Sequence, residues 1–187
     1  MTRIAPVTEA TPRSRQLLDG VQQKLGMTPN LMSTMAHSSA TLDAYLKLSD
    51  ALSRGTLGSS VREQIALTVA QANDCQYCLS AHTAIGKMLG LSTDEIRSAR
   101  RATADEPHTA AVLTLSARLV TTQGRVTNDD LAAARSAGVT DAEITEIVAN
   151  TALNLFTNYF NHVAETDVDF PAAAPLEPAH CESGCQV

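Results

Sequence analysis

The sequence predicts an all-α, single-domain protein, and three observations support that prediction. Of the 187 residues, 44% are apolar but only 3% are aromatic and none is tryptophan, a balance that favours packed helices over a β-sandwich. No segment has the pattern of a β-strand, whereas helix start and stop signals recur along the chain. The length is sufficient for one domain with a sizeable core.

The predicted helices follow an extended arm at the start of the chain. The first helix should end at Gly26, a left-handed C-cap, and the second should open with Thr28 as N-cap and Pro29 at the first helical position. The first helix is expected at residues 12–25. After the second helix, further helices are expected at residues 41–53, 60–72, 75–89, 93–101, 109–122, 129–137 and 142–163. We expect a bundle of about seven to eight helices.

Two helix corners resemble each other. The stretches GLSTDEI at 90–96 and GVTDAEI at 138–144 each place a glycine at a helix end, followed by a Ser/Thr-x-x-Glu capping box. Thr127 and Asp130 form a weaker version of the same box. An ancient duplication and independent convergence on common caps both remain open.

Charge and hydropathy exclude several classes of partner. The net charge is −6, the pI is about 5.3 and no basic run occurs, so no nucleic-acid partner is expected. No stretch of about eighteen apolar residues could span a membrane, and the N-terminus lacks the apolar region of a signal peptide. We therefore expect a cytoplasmic protein, in which a CxxC motif is more often catalytic or metal-binding than structural.

The chain changes character after Phe170. Residues 171–187 are rich in proline and alanine and lack amphipathic periodicity, so we predict a domain at 1–170 and a flexible tail after it. The tail contains His180, Cys181 and Cys185. These residues could be exposed groups of no fixed role, a second thiol pair or metal ligands.

The stretch DCQYCLSAH, residues 74–82, contains the candidate chemistry. We expect Asn73 and Asp74 to cap a helix whose first turn contains Cys75, which places Cys75, Cys78 and His82 on one face. A helix N-terminus favours the thiolate, and a histidine one turn on can exchange a proton with it. Zinc binding is the alternative, although one CxxC and one histidine supply three ligands where a structural site needs four. Inert packing is less expected, since cap positions are usually partly exposed.

The preceding helix adds a carboxylate. In VREQIALTVAQA, Glu63 lies opposite the polar stripe, in the middle of the apolar arc. Burial favours the neutral form of a carboxyl group, which suits proton transfer near neutral pH. Alternatively, Glu63 extends to water and complements the helix dipole.

The last predicted helix has a stripe of four asparagines at residues 150, 154, 158 and 161. Because asparagine is a poor helix former, four asparagines on one helix face indicate a role for their side chains. The amides could bond buried carbonyls, line an active-site cavity or mediate subunit contacts. His162, one turn after Asn158, is a further site candidate.

The combined pattern Glu63-x11-Cys75-x-x-Cys78-x-x-x-His82 resembles the signature of the alkylhydroperoxidase D-like (AhpD-like) group of the carboxymuconolactone decarboxylase superfamily. The resemblance is closest over residues 42–90 and extends loosely from residue 4 to 170. It implies an AhpD-like helical bundle that is an obligate oligomer, either a homotrimer or a homohexamer.

The resemblance also implies a thiol-dependent peroxidase. Cys78 would attack a hydroperoxide, Cys75 would resolve the sulfenic acid, and Glu63 with His82 would relay protons. No cofactor or metal is implied, and the partners would be the hydroperoxide and a dithiol or thioredoxin-like reductant. Tyr77 stands where the best characterised members have histidine, and a neutral phenol is a poorer proton carrier at pH 7.

Other functions remain open beside the peroxidase. A cofactor-free decarboxylase-like lyase is the superfamily's other activity, but it does not need paired cysteines. A disulfide reductase without peroxidase activity and a metal-binding redox protein would both use them.

Overall fold

The computed structural model describes residues 2–176, and these residues form helices joined by short turns, with no strand among them. The helices are α1 (Pro12–Leu25), α2 (Asn30–Met35), α3 (Ser39–Leu52), α4 (Ser59–Ala72), α5 (Gln76–Met88), α6 (Thr93–Arg100), α7 (Pro107–Thr121), α8 (Asn128–Ser136) and α9 (Asp141–Ala164). The all-α prediction is confirmed. In the described part of the chain, no helix combines the length and the apolar character needed to cross a membrane. His180, Cys181 and Cys185 lie outside the described residues.

The predicted capping boxes form as expected. The hydroxyl groups of Ser92, Thr127 and Thr140 each accept a hydrogen bond from the backbone N–H three residues later. The carboxylate at that third residue accepts in return from the backbone N–H of the cap. Gly90 and Gly138 both have φ of 90°, so both corners require a glycine.

Two helix starts differ from the sequence predictions. The N-cap of α2 is Pro29 rather than Thr28, because the Asp169 carboxylate accepts from the Asn30 N–H at 2.7 Å and replaces a side-chain cap. Thr28 instead donates its hydroxyl hydrogen to Gln22 at 3.1 Å. The tertiary contact with Asp169 could not be predicted from local signals.

The start of α5 also differs. Cys75 is the N-cap rather than a residue of the first turn. Asn73 is the C-cap of α4, and its side chain donates back to the Val69 carbonyl at 3.0 Å. Asp74 has φ of 51°, a left-handed conformation that aspartate tolerates better than most residues. These two residues therefore make the turn between helices, and the cap position falls to Cys75.

Helix α4 is the centre of the bundle and packs against α5, α6, α7 and α9. Eight consecutive residues, from Glu63 to Ala70, are buried, so the polar stripe predicted on this helix faces protein rather than water. Thr68 satisfies its buried hydroxyl by donating to the Ala99 carbonyl at 2.7 Å. One hydrophobic cluster joins α4 to α7 and α9, and a second, which contains Cys75 and Cys78, joins it to α2 and α3.

The segment after α9 returns across α5. Glu165, at φ of 47°, ends α9, and the following residues pass over the start of α5. The Ala173 N–H donates to Ser80 Oγ at 3.1 Å, and Arg100 donates to the Ala174 carbonyl at 2.8 Å. The flexible tail was predicted from residue 171, but the structure holds the chain in place through Ala174.

Two truncations test this difference. A chain that ends at residue 176 should keep the stability of the full chain. A chain that ends at residue 170 should lose about 1–2 kcal/mol in free energy of unfolding, because the buried Ser80 hydroxyl and Arg100 lose their partners. Denaturant unfolding of both chains measures the difference, and equal stability would contradict the observed packing of residues 171–174.

Candidate active site

The two cysteines of the CxxC motif lie together at the start of α5. Cys75 is the N-cap and Cys78 is the third residue of the helix, so a single turn separates them. Both are free thiols. Only 1% of Cys75 and 2% of Cys78 is exposed, so the expectation of partly exposed cap cysteines was wrong. They are buried because α2, α3 and the segment after α9 cover this end of the helix.

A hydrogen bond between the two thiols controls their ionisation. It lowers the pKa of Cys75 to about 6, although burial opposes this shift. The same hydrogen bond raises the pKa of Cys78, and burial and the negative charge on Cys75 raise it further. At neutral pH the pair therefore holds one proton, which Cys78 donates to the Cys75 thiolate. Transfer of that proton along the hydrogen bond moves the negative charge to Cys78.

Glu63 and His82 form an ion pair beside the cysteines. The Glu63 Oε1 atom lies 2.6 Å from His82 Nδ1, and their side chains are 12% and 20% exposed. Glu63 therefore points into the protein, as its place on the apolar arc predicted. Burial lowers the pKa of His82, but the charge of Glu63 and the hydrogen bond to it outweigh burial and raise that pKa above 6.5.

A cavity of about 340 Å³ opens onto one of the two sulfur-bearing residues. Cys78, Glu63 and His82 line it together, whereas Cys75 is not among its lining residues. Most of the wall is apolar and includes Leu31, Met32, Ala66, Ala81, Ile85 and Leu153. A small molecule in the cavity would therefore meet Cys78 first, with Cys75 behind it.

The asparagine stripe of α9 divides into two pairs. Asn150 and Asn154 line the cavity and donate to carbonyls one turn earlier in α9, at 2.8 and 2.9 Å. Asn161 Nδ2 instead donates to Cys78 Sγ at 3.2 Å, and Asn158, which is 0% exposed, accepts from Asn73 Nδ2 at 2.9 Å. The stripe thus bonds buried carbonyls and lines the cavity, as two of the three open options proposed. Its contact with Cys78 was not foreseen.

Two tyrosines complete the surroundings of the cavity. Tyr77, which replaces the family's histidine, is 5% exposed and accepts a hydrogen bond from the Leu31 N–H at 3.2 Å. Its ring meets Phe170 edge-on at 5.9 Å, so Tyr77 joins α5 to α2 and to the returning segment. Tyr45, which sequence reasoning missed, lines the cavity from α3. Burial, with smaller effects from Cys78 and Glu63, raises its pKa to about 12, so its phenol stays neutral and able to donate.

The described residues contain no group of three or more histidine, cysteine, aspartate or glutamate side chains that could hold a metal ion. His162 lies on α9 with an exposed side chain. When protonated, it contributes a small lowering of the pKa of Cys75, after the larger effects of Cys78 and burial. Its place is therefore at the edge of the site rather than in the cavity wall.

This protein is thus a helical bundle with a buried CxxC pair beside a Glu–His pair. Those features define the class of thiol-containing helical protein to which it is compared. Residues 39–123 match the model of the carboxymuconolactone decarboxylase family. This match, together with the AhpD-like fold, confirms the resemblance found in the sequence.

Several solved structures share the fold over almost their whole length. An uncharacterized peroxidase-related protein from Silicibacter sp. TM1040 matches with a TM-score of 0.79 and 23% identity, over 89% of this chain and 91% of that chain. An alkylhydroperoxidase AhpD core protein from Ralstonia eutropha JMP134 matches with a TM-score of 0.78 and 29% identity, over 89% and 93%. The debrominase Bmp8 matches with a TM-score of 0.76 and 20% identity, over 90% and 93%. No curated protein matches the sequence.

The ion pair between Glu63 and His82 has a testable pH signature. Because the folded-state pKa of His82 is raised, the pair stabilises the fold fully below pH 6.5 and loses this effect as pH rises through the raised value. In Glu63→Gln the charge is removed while burial remains, so the pKa of His82 should fall below 6.5. NMR titration of the imidazole measures it.

Glu95→Gln is the control for this titration, since Glu95 caps α6 at the surface and should leave His82 unchanged. An unaltered His82 titration in Glu63→Gln would show that Glu63 does not set the charge of the imidazole.

Proposed function

We propose that this protein is a thiol peroxidase that reduces organic hydroperoxides through a disulfide formed between Cys75 and Cys78. The observation that supports it best is the asymmetry of the pair. Cys78 lines an apolar cavity, while Cys75 is hydrogen-bonded to it and does not line that cavity. An attacking thiol needs access to substrate, and a resolving thiol needs only access to the first sulfur.

The first step uses the negative charge that the pair holds at neutral pH. With the shared proton on Cys75, the Cys78 thiolate attacks the terminal oxygen of ROOH, so that an S–O bond forms as the O–O bond breaks. Cys78 becomes a sulfenic acid and the leaving alkoxide RO⁻ takes a proton. His82, whose pKa is raised by the neighbouring Glu63, supplies that proton, and Glu63 stabilises the charged imidazole.

The second step closes the disulfide. The Cys75 sulfur attacks Cys78, the S–O bond breaks, and the thiol hydrogen of Cys75 leaves with the hydroxyl group as water. A dithiol or thioredoxin-like reductant then supplies two electrons and two protons to restore both thiols. The proposed active form is the homotrimer or homohexamer implied by the family.

The alternatives make different demands on the same site. A cofactor-free decarboxylase-like lyase would not need two buried, hydrogen-bonded sulfurs. A disulfide reductase without peroxidase activity would use both sulfurs but would not need an apolar cavity in front of Cys78. The debrominase among the similar structures shows that this fold also supports another reaction, so peroxide chemistry has to be tested directly.

Peptide mapping after one oxidative turnover tests the proposal. The reduced, metal-free protein, with Cys181 and Cys185 replaced by serine, should form the Cys75–Cys78 disulfide within seconds of adding one equivalent of cumene hydroperoxide. Cys78→Ser should abolish peroxide consumption, because no thiolate faces the cavity. Cys75→Ser should stop at a Cys78 sulfenic acid, which dimedone traps.

The serine replacements in the tail act as the control, since only the two site thiols remain in that protein. Thiols that stay reduced for minutes, while a small disulfide substrate is reduced, would contradict the peroxidase and favour a disulfide reductase. Disulfide formation that requires Cys181 and Cys185 would assign the tail thiols to the reaction.

A further inference from the structure

The orientation of the Asn158 amide is determined by its neighbours. Asn73 Nδ2 donates to the Val69 carbonyl at 3.0 Å, which identifies that atom of Asn73 as the nitrogen. The same nitrogen donates to Asn158 Oδ1 at 2.9 Å, so the oxygen of the Asn158 amide must face Asn73. The Asn158 NH₂ group therefore faces the opposite way. It is buried and has no hydrogen-bond partner among the described residues.

This NH₂ group also lowers the pKa of the Cys78 thiol, although it makes no hydrogen bond to the sulfur. The pKa of the Cys78 thiol is raised mainly by Cys75, and two side chains oppose that rise, Asn161 and Asn158. Asn161 Nδ2 donates to Cys78 Sγ at 3.2 Å and is itself 4% exposed. One amide thus donates to the sulfur, and a second amide, one turn earlier on α9, has a buried NH₂ group with no acceptor.

We propose that Asn158 and Asn161 form an amide clamp that stabilises the negative charge on Cys78 once the shared proton has moved to Cys75, and that Asn161 Oδ1 then accepts the hydrogen of the sulfenic acid. The clamp makes Asn161 a catalytic residue, because it touches the reacting sulfur. Asn158 is held in place by Asn73 and completes the clamp.

The first half of the proposal follows from the preference of a donor for a charged acceptor. An amide N–H stabilises a thiolate much more than a thiol, and the effect is larger where water is excluded. Both amides act on the sulfur that lines the cavity. They thus favour transfer of the shared proton to Cys75. This transfer leaves Cys78 as the thiolate that can attack.

The second half follows from an unsatisfied atom. Asn161 Oδ1 is buried and has no hydrogen-bond partner among the described residues. A buried acceptor without a donor is costly, so a state that supplies a donor is favoured. The sulfenic acid on Cys78 supplies an O–H next to this amide. This half rests on the proposed peroxidase function, whereas the first half does not.

Alkylation of Cys78 tests the clamp without peroxide. In a Cys75→Ser background with the tail cysteines also replaced, the rate of reaction with iodoacetamide is measured against pH. Asn161→Ala should move the midpoint up by about one pH unit, or lower the rate about tenfold at a fixed pH below it. Asn161→Leu has a similar size, adds no charge and removes the donor, so its shift should be as large.

The matched control is Thr151→Val on the same helix. This substitution removes a buried hydrogen bond of 2.9 Å between Thr151 and Ser116, which lies remote from the sulfurs. The Tm of the variant should therefore fall, while the alkylation midpoint stays the same. The titratable groups that bear on the site remain identical in every variant: Tyr45, Glu63, Tyr77, His82 and His162. A shift confined to the asparagine variants therefore reports the amides.

An unchanged midpoint in folded Asn161→Leu would overturn the clamp. The Oδ1 assignment has a separate readout, the lifetime of the dimedone-trapped sulfenic acid in Cys75→Ser. Asn161→Ala should shorten that lifetime several-fold, and an equal lifetime would overturn this half. If Cys75→Ser itself forms no sulfenic acid, the peroxidase proposal and the Oδ1 assignment both fail, while the alkylation result still decides the clamp.

Discussion

One proton shared between two buried sulfur atoms is the interaction on which the rest of the site depends. Neither thiol could ionise alone in this position without the cost of burying an isolated charge. The hydrogen bond from Cys78 to Cys75 reduces that cost, which is why the pKa of Cys75 falls to about 6 while burial opposes it. A single negative charge is thus held between two buried sulfurs. In the proposed reaction, a proton shift places that charge on the sulfur that faces the cavity.

Three helices around the two cysteines each supply different side chains of the site. Helix α5 supplies both sulfurs and His82, and the buried middle of α4 presents Glu63 at 2.6 Å from that imidazole. Helix α9 supplies the Asn161 amide that contacts Cys78. Its 24-residue length, started by the Thr140 capping box, lets one asparagine stripe reach from the cavity wall to the sulfur. The site is therefore assembled from segments that lie far apart in sequence.

Local signals were enough to predict the helices and four of the site residues. Cap residues and apolar periodicity fix helix boundaries within a few positions, and the spacing of Glu63, Cys75, Cys78 and His82 is itself a local pattern. Contacts across long sequence distances were not predictable. Asn161 is 83 residues from Cys78, and Asp169 is 139 residues from the helix start it caps. The burial of both cysteines follows from the same tertiary packing.

The titration of the two thiols in the reduced protein tests the shared proton most directly. With the tail cysteines replaced by serine, thiolate absorbance near 240 nm is followed as the pH is raised. The account predicts one thiolate per chain with a midpoint near pH 6, and no second thiolate until far above neutral pH. Two thiolates that appear together at the ordinary cysteine pKa of about 8.5 would contradict it.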